Sequence, residues 1–159
     1  MRYLVKRTIA RGFALRQRAG ITLAAAMTFA LASPFMVQAA ETSLSLELNR
    51  AANTERGCML TFVASNRTTH AISGVAYEFV LFNKEGLVEK MTAFDFGALP
   101  QEKTVVRQFE LAGSQCPGIG QILVNGAARC DLADPQPGTD GTCIGDLALS
   151  SRTDITFIK

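Results

Sequence analysis

The chain has 159 residues, 48% of them apolar and 19% charged, and a formal net charge of +2. That length fits one domain with an appendage and excludes large multidomain enzymes and long solenoids. The composition is too apolar and too weakly charged for a disordered chain.

The positive charge is not spread evenly. Six of the 16 Lys and Arg residues are Arg2, Lys6, Arg7, Arg11, Arg16 and Arg18, and no acidic residue precedes Glu41. An apolar run from Ala19 to about Ala32 follows, then Ser33-Pro34 and Val37-Gln38-Ala39-Ala40. Charged, apolar and small-residue regions in that order are a secretory signal peptide. Val37 and Ala39 suit the −3 and −1 positions. Cleavage is therefore expected after Ala39, with Ala40 as second choice, leaving a working domain at 40–159. A membrane anchor fits less well, because the apolar run is about 14–17 residues where a span needs about 20. Pro34 would also end any helix there. Lys6-Arg7 is not a twin arginine, which favours Sec over Tat export. No cysteine follows the cut directly, so no lipid anchor is indicated. The expected destination is the Gram-negative periplasm or full secretion. Removing the six leaves ten basic residues against 14 acidic, a formal charge of −4. Nucleic acid and anionic membranes, which need clustered Lys and Arg, drop out as partners.

Beyond Ala39 the apolar pattern has period two. Leu44, Leu46 and Leu48 alternate with polar residues in a first strand. Cys58, Leu60, Phe62 and Ala64 do so in a second, and polar Asn66 to His70 reads as a loop. Val75 to Phe82 is a third strand. Asn83-Lys84-Glu85-Gly86 suits a hairpin turn, with Gly at the left-handed position. Leu87 to Phe96, Thr104 to Leu111 and Gln121 to Cys130 read as strands four to six. Asn125-Gly126 fits either mid-strand or a type I′ turn that splits the sixth. A last strand covers about Asp154 to Ile158. Turns recur about every ten residues, the spacing of an all-β, antiparallel immunoglobulin-like sandwich of about seven strands.

Phe79-Val80-Leu81-Phe82-Asn83 resembles the F-x-L-Y-D signature of the FxLYD-type immunoglobulin-like domains, with Phe82 for Tyr and Asn83 for Asp. Ser65-Asn66, Gly86-Leu87-Val88, Phe96 to Pro100 and Lys103-Thr104 resemble its flanks. The resemblance spans about Leu60 to Leu111. The cysteine-bearing C-terminal half departs from it and is similar to small exported proteins of alphaproteobacteria. Together these imply a fold and a periplasmic location, and no catalytic residue.

All four cysteines, Cys58, Cys116, Cys130 and Cys143, follow the cut. An even count in a small exported domain reads as two disulfides. The second and sixth strands of such a sandwich start at the same end. That places Cys58 near Cys116, and Cys130 near Cys143 at the other end; bonding needs Cα atoms within about 7 Å. No C-x-x-C or close Cys spacing points to zinc or redox chemistry, and no cofactor is implied.

His70 is the only histidine. It has no G-x-S-x-G elbow to serve and reads as a solvated loop residue. Asp95, between Phe94 and Phe96, reads as an outward strand position. Asp131, Asp134, Asp140 and Asp146 fall in a Pro- and Gly-rich stretch without EF-hand spacing, and this loop is the candidate partner-binding site. The leading expectation is thus a non-enzymatic module that binds another periplasmic or envelope protein. The alternatives are a small hydrolase or inhibitor using His70, and a metal-handling protein.

Overall fold

A computed structural model describes residues 43–135, 143–145 and 147–159. Eight strands form two four-stranded sheets packed as a sandwich. They are β1 (Leu44–Asn53), β2 (Gly57–Asn66), β3 (Ile72–Asn83), β4 (Val88–Leu99), β5 (Lys103–Ala112), β6 (Ile119–Leu132), β7 (Ala148–Ser151) and β8 (Thr156–Ile158). The sheet orders are β5-β2-β1-β7 and β4-β3-β6-β8. The first, second and fifth strands thus oppose the third, fourth and sixth, as in immunoglobulin-like sandwiches.

Pairing among β1 to β6 is antiparallel throughout. The two short C-terminal strands differ: β7 runs parallel to β1, and β8 runs parallel to β6. The sheets are therefore mixed. The chain crosses from one sheet to the other between β7 and β8, so neither strand is joined to its neighbour by a hairpin. β7 stands beyond the seven strands legible in the sequence. Its four residues carry only Leu149 as a large apolar group, too little for a period to register. Its position is secured by Arg152, whose backbone N–H donates to the Leu48 carbonyl and whose guanidinium lies 2.9 Å from Glu47. Hydrogen bonds from Asn49 and Arg152 hold the Glu47 carboxyl below its usual pKa.

The Asn125-Gly126 ambiguity resolves as strand. β6 runs through it, and the register against β3 shifts between Glu78 and Phe79, where Glu78 faces Gly126 and Phe79 faces Val124. Asn125 is the extra residue of a bulge, which increases local twist without ending the pairing.

Alternation places Leu44, Leu46, Leu48, Leu60 and Phe62 of one sheet against Tyr77, Phe79, Leu81, Phe94, Phe96 and Ile122 of the other, all buried. Phe62 is the hub. Its ring centroid lies 5.6 Å from Phe79, 5.6 Å from Phe96, 6.4 Å from Phe94, 6.1 Å from Phe109 and 5.7 Å from Phe157. Phe94 and Phe109 stack at 4.4 Å, tying β4 to β5 across the open side of the sandwich.

Asn66 is the one buried polar residue among those described. Its Nδ2 donates to the carbonyls of His70 and Leu99, both at 2.8 Å, and its Oδ1 accepts from the N–H and hydroxyl of Thr68. One side chain thereby fixes the β2–β3 loop and fastens it to the end of β4. Replacing Asn66 with alanine strands the Leu99 carbonyl in the core. The expected loss is about 2–3 kcal/mol, read as a lower urea midpoint with unchanged slope. The Asn66-Arg67-Thr68 sequon is thus structural here, its amide nitrogen fully committed.

Candidate functional site

Both cysteine pairs are bonded, at opposite ends of the sandwich. Cys58 joins Cys116 with Cα atoms 5.0 Å apart, and Cys130 joins Cys143 at 5.9 Å. Strand order alone led to this pairing. Cys58 opens β2, and Cys116 opens the 3₁₀ turn that leads into β6. The Cys116 N–H donates to Asn53 Oδ1 at 2.9 Å, joining that turn to the end of β1.

At the other end, the buried Tyr77 hydroxyl donates to the Cys143 carbonyl at 2.9 Å. Burial pushes its phenol well above the usual pKa, so it stays a neutral donor. The core strand β3 thereby holds the segment that β6 and the disulfide bring back. Tyr77→Phe keeps the ring contacts and leaves this carbonyl without its donor. It should cost about 1–2 kcal/mol in denaturant unfolding of the oxidised protein.

Of the four acidic residues of the candidate loop, Asp131 and Asp134 are described. Asp131 belongs to β6, opposite Gly74, and its carboxylate lies 3.3 Å from Arg129 Nε. Arg129 Nη2 also holds Asp95, at 2.7 Å. Asp95 is exposed, as its alternation indicates, and accepts from the Gly97 N–H. Asp134 is exposed just after β6, while Asp140 and Asp146 lie outside the described residues. Arg129 pairs with both Asp131 and Asp95, so this trio keeps a net negative charge.

His70 is half-buried in the β2–β3 loop, where its backbone carbonyl accepts from Asn66 and Thr68. Among the described residues no serine or aspartate side chain bonds its imidazole. Nor do three His, Cys, Asp or Glu side chains converge there as a metal site would need.

The feature that sequence reasoning missed is the outer face of the β4-β3-β6-β8 sheet. Met91 faces Val80, Val80 faces Leu123, and Leu123 faces Ile158. One apolar row therefore crosses all four strands on the side away from the core. Val88, opposite Phe82, begins a second row. Met91 is 64% exposed, Val88 58%, Leu87 64% and Ile158 39%. Alternation alone reads Met91 as ordinary strand packing. Its exposure follows from β4 being an edge strand whose outer face nothing covers among the described residues. The β3–β4 turn brings Leu87 beside this face. Asn83 Oδ1 accepts from the N–H groups of Glu85 and Leu87, at 3.1 and 2.8 Å, and Gly86 takes a φ of +79°. That φ suits glycine and strains other residues.

A separate open cleft of about 530 Å³ lies beside the Cys58–Cys116 bond, with Asn53, Lys84, Pro117, Asp154 and Ile155 on its walls. It pairs one cationic with one anionic side chain and holds no convergent set of polar groups that would select a ligand.

Comparison of the chain with protein-family models, with curated proteins and with solved structures finds no match.

Proposed function

We propose that the chain is an exported, non-catalytic immunoglobulin-like module that binds another protein or a component of the cell envelope. The observation that carries this reading is the apolar row Met91–Val80–Leu123–Ile158 on the outer face of the sheet, exposed at its two ends, Met91 and Ile158. Soluble domains keep contiguous apolar surface small unless it meets a partner. Export is supported by the basic and apolar order of the first 39 residues and by two disulfides, which persist in oxidising compartments. No helix among the described residues is long and apolar enough to cross a membrane. Kinship with FxLYD-type domains rests on the resemblance of the Phe79 to Asn83 segment to that signature.

The test places a photoreactive amino acid at position 91 of the exported protein and irradiates intact cells. A defined adduct is expected, and Ile158→Glu on the same face should abolish it. No adduct, or one indifferent to Ile158→Glu, would overturn the assignment of this face.

A further inference from the structure

We propose that Cys130–Cys143 is a thiol–disulfide exchange site, entered at Cys130 by an external dithiol and closed again by Cys143. The proposal does not depend on the outer sheet face and gives the domain a chemistry of its own.

The two bonds differ in access. Cys58 is fully buried, and Cys116 is half-buried and packs against the core, although it also lines the open cleft at that end. Cys130–Cys143 is lopsided: Cys143 is fully buried, whereas Cys130 is exposed. Strand pairing explains the difference. Cys130 lies opposite Val75, a core residue, so both face inward. β8 flanks β6 only at Gln121 to Leu123, and among the described residues no strand flanks β6 on that side beyond them. Cys130 therefore stands at an open rim, with its partner in the core and itself in reach of solvent. Exchange rates follow access to the attacked sulfur, and exposed disulfides are the labile ones.

Cys143 is held in place without the bond. Tyr77 donates its hydroxyl to the Cys143 carbonyl at 2.9 Å. Lys159 Nζ donates to the next two carbonyls, those of Ile144 and Gly145, at 3.3 and 2.8 Å. The Leu147 N–H adds a bond to the Ile144 carbonyl at 3.4 Å. Cys130 is held in turn by the pairing of β6 with β3. Both thiols of an opened pair thus sit on backbone that other bonds position. Reclosure is then intramolecular between ends already placed for it. That arrangement suits a bond that opens and closes repeatedly.

The exchange runs in two displacements. A thiolate of the external dithiol attacks Cys130 Sγ and forms a bond to it. The Cys130–Cys143 bond breaks, and its electron pair leaves on Cys143 Sγ, which takes up a proton. The second thiol of the dithiol, as thiolate, attacks its own sulfur in the mixed disulfide. Cys130 leaves as a thiolate and is protonated. Two electrons have passed: the dithiol has become a disulfide, and the protein holds two thiols. The reverse sequence oxidises a dithiol and restores Cys130–Cys143, the resting state.

The test treats the oxidised protein, purified from the periplasm, with dithiothreitol in native buffer. Samples are quenched in acid and alkylated, and each cysteine is followed by peptide mass spectrometry. Cys130 and Cys143 should become reactive at least about tenfold faster than Cys58 and Cys116. Urea below the unfolding transition should leave that rate unchanged. With glutathione as the probe, the trapped mixed disulfide should sit on Cys130 and not on Cys143. Tyr77→Phe loosens the hold on Cys143 and should shift the balance in a glutathione buffer toward the open pair by about fivefold. One rate for all four cysteines, a rate that climbs with urea as global unfolding does, or glutathione carried on Cys143 would overturn the proposal. So would a Tyr77→Phe balance equal to that of the unmodified protein.

Discussion

Replacing Phe62 with alanine is expected to lower the unfolding free energy by about 3–5 kcal/mol. The ring is fully buried on β2 and touches aromatic rings from β3, β4, β5 and β8. Those neighbours sit on backbone fixed by sheet pairing, so they cannot collapse into the space. The loss therefore includes both transfer free energy and a residual cavity. Domains of this size are stable by about 5–15 kcal/mol, so the variant should stand near its folding threshold. Phe62→Leu keeps most of the apolar volume and should lose less than half as much. Urea unfolding with both disulfides intact reads the difference. A loss below about 1 kcal/mol would mean that the two sheets do not share this core.

Reduction of the disulfides is the other large effect. Cys58–Cys116 closes a loop with a sequence separation of 58, and Cys130–Cys143 one of 13. Loop-closure entropy assigns about 4 kcal/mol to the first and about 3 kcal/mol to the second. Losing both removes an amount comparable to the whole stability of a small domain. The melting temperature should fall by more than about 20 °C on reduction. Removing the pair Cys58 and Cys116 by alanine substitution should cost more than removing Cys130 and Cys143. Their bond closes the longer loop, and Cys58 is itself part of the core. An unchanged melt in reductant would refute the structural role of both bonds.

The strands that the sequence disclosed are those with one face on the core. Leu44-Ser45-Leu46 and Cys58 to Ala64 alternate because every second residue meets the opposite sheet, and their burial follows that period. The disulfide pairing was legible for the same reason, since strand order fixes which end each cysteine occupies. β7 was not legible, because its place depends on parallel pairing with β1 and on Arg152, neither of which leaves a local pattern. The apolar row on the outer face was hidden too. Val80, Leu123 and Ile158 lie far apart in sequence, and only the register of β3, β6 and β8 aligns them. Exposure of Met91 depends on which strand lies at the edge, a property of the sheet and not of the segment. Composition marks the acidic stretch, whereas the pairing of Arg129 with both Asp131 and the distant Asp95 is visible only in the fold.

Export, proposed above, and the two specific cross-links can be read in one sample. Non-reducing peptide mapping by mass spectrometry of the protein recovered from the periplasm of an expressing Gram-negative host tests both directly. The predicted result is an N-terminus at Ala40, with linked peptides joining Cys58 to Cys116 and Cys130 to Cys143. Retention of Met1, free thiols, or Cys58 joined to Cys130 or Cys143 would contradict it.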